Sequence, residues 1–292
     1  MRGWWLFAIS TCAPASFTPS SSVDTLRVLA VEADKPIASP GETVVLRALI
    51  ADPAGSARGV SFSYATCTNP GSGEIPDCAA HLGPMQNASI DADGNARFTI
   101  RVPDDALAGI SPDLPVGTIG VVFAVCAGTF VNVPRQTTAP IGCIRDGSLV
   151  SREGFMWGMK RITVIVGARN RNPEIARVFF DQRRWDEGFE MTIDGCPPGD
   201  VSSCPPARQH SVVVQLRENS AEPYLGRTED IVTYFFSSQG ALRDDVVRSP
   251  SDLYETIHAP VAPDPTRPVE MWFVVRDDRG GTSFTKRTAR FR

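Results

Sequence analysis

Lysine is scarce in this chain of 292 residues: only Lys35, Lys160 and Lys286 occur among 29 basic residues, the others being arginine. Against 33 acidic residues this leaves a formal net charge of -4. There is no excess of cations to neutralise a phosphate backbone, so nucleic-acid binding is not expected as the main activity. Arginine suits bidentate anion recognition, but GC-rich coding produces the same bias; the densest group, Arg183 and Arg184 beside Trp185, reads as a strand-end surface or a stacked cation. Histidine is rarer still. His81, His210 and His258 lie in no HExxH and beside no GxSxG elbow, and neither a P-loop nor a GxGxxG occurs. An enzyme is therefore not expected, and a hydrolase whose catalytic residues are dispersed along the chain is the less favoured alternative. No CxxC and no Cys/His group with zinc spacing is present, so no metal site and no cofactor are expected. Asp91 to Asn95 has the look of a calcium loop but lacks a third acidic ligand and a distal Glu, and is read as a hairpin turn with Gly94 at positive φ. Asp277 to Gly281 is read in the same way. Beyond the N-terminus, no apolar run approaches the ~20 residues of a membrane-spanning helix.

What the chain has is turn residues and alternation. Glycine and proline number 24 each, and they punctuate short β-branched runs. Thr43 to Ile50 opens after Pro40-Gly41 and closes before Asp52-Pro53; Val60 to Tyr64 and Ala96 to Val102 alternate with period two; Val121 to Val125 and Ile162 to Val166 read as buried strands. The blocks then recur in the same order. Ser211 to Arg217 parallels Thr43 to Ala48, Ile231 to Phe236 parallels Val60 to Tyr64, Tyr254 to Ile257 parallels Phe98 to Val102, and Met271 to Val275 parallels Val121 to Val125. This predicts an all-β protein of two tandem sandwiches, 25–166 and 167–292, behind an N-terminal segment 1–24. The strand from Leu26 to Val31 with its turn through Pro40-Gly41, and the hairpin from Trp272 to Gly281, resemble bacterial immunoglobulin-like domains, in particular those of secreted and outer-membrane lipoproteins. That resemblance implies the fold and leaves the role open.

The N-terminal segment has the parts of a secretory signal: Met1-Arg2-Gly3, then an apolar run from Trp4 to Ile9, then small residues. Ile9-Ser10-Thr11-Cys12 resembles the lipobox of bacterial lipoproteins, with Thr11 in place of the usual Gly, Ala or Ser and a short apolar core. The resemblance implies a lipid on Cys12, hence a membrane partner, and Ala13 in place of Asp favours the outer membrane. A soluble secreted protein cleaved near Ala13 or Ala15 is the alternative. Ala13 to Val23, rich in Ser, Pro and Thr, reads as a flexible tether.

With Cys12 removed, six cysteines remain, and their order groups them as Cys67 with Cys78, Cys126 with Cys143 and Cys196 with Cys204. Each pair closes a loop crowded with Pro and Gly, and lasting disulfides require an oxidising compartment. The stretch from Gly128 to Gly158, 31 residues long, is too long for an ordinary hairpin loop. It holds Cys143 and ends in Phe155, Met156 and Trp157, which are the candidate binding loop or interdomain contact. The reading is an exported, lipid-anchored envelope protein with a non-catalytic binding or structural role, its partner an envelope protein or a glycan. A soluble carbohydrate- or protein-binding module is the alternative.

Overall fold

A computed structural model describes residues 20–53, 59–68, 78–113, 115–132 and 141–292. The first set of strands is β1 (Arg27–Ala33), β2 (Ile37–Ala38), β3 (Thr43–Ala51), β4 (Ser61–Thr68), β5 (Gln86–Asn87), β6 (Ser89–Ile90), β7 (Ala96–Arg101), β8 (Gly117–Cys126), β9 (Thr129–Asn132), β10 (Ile141–Arg145), β11 (Ser148–Leu149) and β12 (Phe155–Val164). The second is β13 (Ile175–Phe180), β14 (Arg183–Arg184), β15 (Glu190–Ile193), β16 (His210–Leu216), β17 (Pro223–Tyr224), β18 (Arg227–Thr228), β19 (Ile231–Ser237), β20 (Ala241–Leu242), β21 (Val246–Arg248), β22 (Leu253–Ala259), β23 (Val269–Asp277) and β24 (Thr282–Phe291). A single turn of helix, α1 (Cys78–His81), follows β4.

The repeat in sequence is a repeat in topology. Sheet β1-β3-β7-β6 faces sheet β2-β12-β8-β4-β5, and sheet β14-β13-β16-β22-β20 faces β15-β24-β23-β19-β21. In both, the first strand leaves its own sheet and a short continuation pairs in parallel with the last strand, β2 with β12 and β15 with β24. Every other strand pairing is antiparallel among the described residues. This is the strand order of an immunoglobulin-like sandwich. Alternation does the filling: Val44, Leu46, Ala48 and Ile50 of β3 meet Phe62, Tyr64, Val121 and Phe123 of the facing sheet. In the second core Trp185, Phe235 and Phe273 are fully buried, with Trp185 edge-on to Phe180 at 4.9 Å between ring centres.

Two strands are apolar on both faces. Leu49 and Ala51 of β3 point away from the first core, Trp272 and Val274 of β23 away from the second, and they pack on each other with Leu29, Ala30 and Phe284. A sheet covered on both sides needs continuous apolar runs, and the second cover of each is the other sandwich. The sandwiches therefore lie flank to flank. Val23, completely buried, sits in the same cluster, and its N–H donates to the Ser237 carbonyl, whose own N–H donates to that of Ser21. Residues 20–23, expected to be tether, are thus held between the sandwiches: an aperiodic Ser-rich run pairs as well as any other once its backbone meets a strand end.

The connection 167–173 is pinned to both sides. Asn172 donates from Nδ2 to the Ala33 carbonyl (2.8 Å) and accepts at Oδ1 from the Thr282 N–H (2.9 Å). Asn170 donates to Asp277 (3.1 Å), and the Arg279 guanidinium donates to the Arg169 carbonyl while pairing with buried Glu229 (2.9 Å) and lying 4.3 Å over the Tyr224 ring. Burial raises the pKa of the Glu229 carboxyl above the usual carboxylate value, against the lowering effect of the Glu222 N–H it accepts.

Candidate functional site

The stretch from Gly128 to Gly158 is not a structureless loop. It is an excursion between β8 and β12 carrying a three-stranded sheet, β11-β10-β9, and its end is a strand. Pairing of β9 with β10 puts Phe130 opposite Cys143, and Cys143 bonds back to Cys126 at the end of β8. Gly128 allows the closeness this needs, because a Cβ there would overlap the Ile144 carbonyl. The missed signal was Asp146-Gly147: both residues have positive φ (51° and 77°) and form the two-residue turn that joins β10 to β11.

Phe155, Met156 and Trp157 open β12, and the period of a strand separates their roles. Met156 points inward, packs on the first core and accepts the Val28 N–H at its sulfur (2.9 Å). It is half-buried, with its thioether turned to the core. Trp157 points outward and is 67% exposed. Register places Trp157 beside Ala124 and then Ser63, and Met159 beside Val122 and then Ala65, across β12, β8 and β4. Ala124, Ser63 and Ala65 are buried although they face outward. The indole thus stands clear beside small residues of β8 and β4 that are themselves covered, Ser63 by its hydrogen bond to Asn87.

Disulfides hold both borders of this face. All three expected pairs are present: Cys67–Cys78, Cys126–Cys143 and Cys196–Cys204, with Cα separations of 5.2, 5.6 and 5.2 Å. The first lies flat on the outer face. A Cβ on Gly120 would come within 2.9 Å of Met159 Sδ and 3.2 Å of Cys78 Sγ, so glycine is what lets the bridge sit down. Cys12 lies outside the described residues.

The histidines are placed structurally. His258 is fully buried and its Nε2 meets the Gln239 carbonyl at 2.9 Å; desolvation pushes its pKa down to about 4. His210 Nδ1 meets Asp181 Oδ2 at 2.7 Å while its ring stacks on Phe180, and its Nε2 is enclosed without a partner. His81 is exposed at the end of α1. Among the described residues no hydroxyl or thiol is hydrogen-bonded to any of the three rings, and no group of three or more His, Cys, Asp or Glu side chains gathers as for a metal. Asp91 accepts the N–H groups of Asp93 (3.0 Å) and Asn95 (2.8 Å) at one oxygen, which makes this segment the β6–β7 turn.

No family model matches the sequence, and no curated protein matches it. Among solved structures the chain is similar to the D0-D1 domain of intimin, at 11% identity over 90% of this chain and 95% of that one, with a TM-score of 0.22. It is similar to the Yersinia pseudotuberculosis adhesin InvE at 12% identity, over 91% of this chain and 60% of that one, with a TM-score of 0.24. It is also similar to the Escherichia coli adhesin FdeC at 12% identity, over 94% of this chain and 65% of that one, with a TM-score of 0.25. Superpositions this loose carry nothing about function, and the fold rests on the strand order above.

Proposed function

We propose that the protein is an exported component of a bacterial cell envelope, tethered to the outer membrane by a lipid on Cys12, which holds a partner protein against the outer face of its first sandwich. The units doing so are 25–166 and 167–292, and the role is binding rather than catalysis. One observation carries the reading: an indole two-thirds exposed, on the outer face of a sheet held at both borders by disulfides. Exposed tryptophan on a rigid support is the residue type that dominates interface energies. One exposed indole flanked by the half-buried Phe155, Met159 and Val122 suits a protein surface better than the row of exposed parallel rings a glycan would stack on. Three disulfides support an oxidising compartment.

Two measurements test the proposal. Mass spectrometry of the native N-terminus is expected to find an acylated Cys12, and an unmodified terminus at Ala13 or beyond overturns the anchor. Crosslinking in intact envelopes through a photoreactive side chain at Trp157 is expected to yield one protein adduct, absent when the group is moved to an exposed position of the second sandwich such as Leu253. Glycan adducts, or identical products from both positions, overturn the binding face.

A further inference from the structure

The sandwiches meet reciprocally. Each is open on the side where its first strand changes sheets, because β2 pairs with only Thr163 and Val164 of β12, and β15 with only Thr288 to Phe291 of β24. Each opening is faced by a hairpin of the other sandwich. The first faces the β23–β24 turn, and Lys160 fills it, donating to the Gly280 carbonyl at 2.8 Å. The second faces the β6–β7 turn and is a groove of about 790 Å³.

Six consecutive residues of β24, Ser283 to Thr288, line that groove. A strand seen from one face contributes alternate residues only, so the groove follows the edge of β24. Register decides which backbone groups point into it. The β23–β24 turn closes with the Asp277 N–H on the Gly281 carbonyl. Ser283, Thr285 and Arg287, opposite Val275, Phe273 and Met271, therefore bond to β23, while Thr282, Phe284 and Lys286 direct theirs outward. The Thr282 N–H is taken by Asn172 and the Lys286 carbonyl by the Arg287 guanidinium (2.7 Å). The N–H groups of Phe284 and Lys286 and the carbonyl of Phe284 are left without a hydrogen-bond partner among the described residues. An open strand edge with spare donors and acceptors is a template for another strand.

We infer that this groove is a strand-acceptor site: an extended peptide segment of a partner protein adds beside Phe284 to Lys286, in the row that β15 occupies from Thr288 onward. Main-chain hydrogen bonds supply affinity and the walls read alternate side chains. Phe189, 58% exposed and held by its own carbonyl on Trp185 Nε1 (3.0 Å), offers one apolar contact. Arg177 and Glu187 offer polar ones. The site is separate from the Trp157 face and stands whether or not that face is the main one.

The test pans a phage-displayed random dodecapeptide library against the whole protein and measures the selected peptides by fluorescence anisotropy. Lys286→Pro removes an edge N–H and keeps every main-chain bond to β23, as proline is tolerated where a strand's N–H faces outward; it loses only the Lys286–Glu270 ion pair (3.2 Å), which Lys286→Ala loses as well. It is expected to weaken binding about tenfold, the scale of a lost hydrogen bond with added steric exclusion, while Lys286→Ala leaves binding within about twofold, because the side chain is not what the peptide reads. Equal loss in both variants, or none in either, overturns the proposal. A second readout is independent of whether the proline variant folds: in the wild-type protein the Phe284 and Lys286 amides are expected to exchange fast alone and to become protected by peptide, and unchanged exchange overturns the proposal equally.

Discussion

His258 shows how one buried side chain sets a solution property. Its neutral ring is enclosed beside the Gln239 carbonyl, and its pKa falls from 6.5 to about 4. The unfolded chain binds a proton there from about pH 6.5 downward and the folded one only near pH 4, so stability rises with pH across that window. Wild type is expected to lose about 3 kcal/mol between pH 6.5 and 4 that His258→Gln does not lose, as read by urea unfolding at each pH. Trp157 is the opposite case. Trp157→Ala is expected to change unfolding free energy by less than about 0.5 kcal/mol, the usual range for surface sites, and to abolish the envelope crosslink. The cysteine pairing was legible residue by residue because each pair closes a short segment, with separations of 11, 17 and 8. The division between Met156 and Trp157 was not, since it depends on a strand period that starts where the sequence reads as loop.

At the scale of elements, strand existence followed from alternation, and the failures lie where short strands are embedded in turn residues. The excursion between β8 and β12 holds runs of only four, five and two strand residues, in Thr129–Asn132, Ile141–Arg145 and Ser148–Leu149. Such runs carry too few alternations to be distinguished from loop. They are stable because they pair with one another and because Cys143 is tied to β8. Gly128→Ala, which forces a Cβ against the Ile144 carbonyl, is expected to cost about 1 to 3 kcal/mol in thermal or chemical unfolding. Replacing Cys126 and Cys143 together by alanine is expected to cost about 3 kcal/mol for the loop released, with loss of the crosslink at Trp157 if the excursion frames the binding face.

At the scale of the molecule, two sandwiches became one body through residues that a sandwich on its own would leave in water. Trp272 is 1% exposed yet points away from its own core, and Val23 reaches the same cluster from outside both sandwiches. Trp272→Ala is expected to cost about 3 to 5 kcal/mol, and either it or Val23→Asp to separate one thermal transition into two, with a larger radius of gyration by small-angle scattering. A single transition of unchanged enthalpy would show that the sandwiches do not stabilise each other. The sequence by itself determined the class of fold, the doubling of the sandwich and the cysteine partners, because alternation, turn residues and short loops are local and survive in a linear reading. Only the tertiary structure decided that the sandwiches dock flank to flank, that residues 20–23 are wedged between them and that the edge of β24 stays open. Those depend on which outward faces meet in space, and the apolar runs of β3 and β23 announce that a second face is covered without naming what covers it.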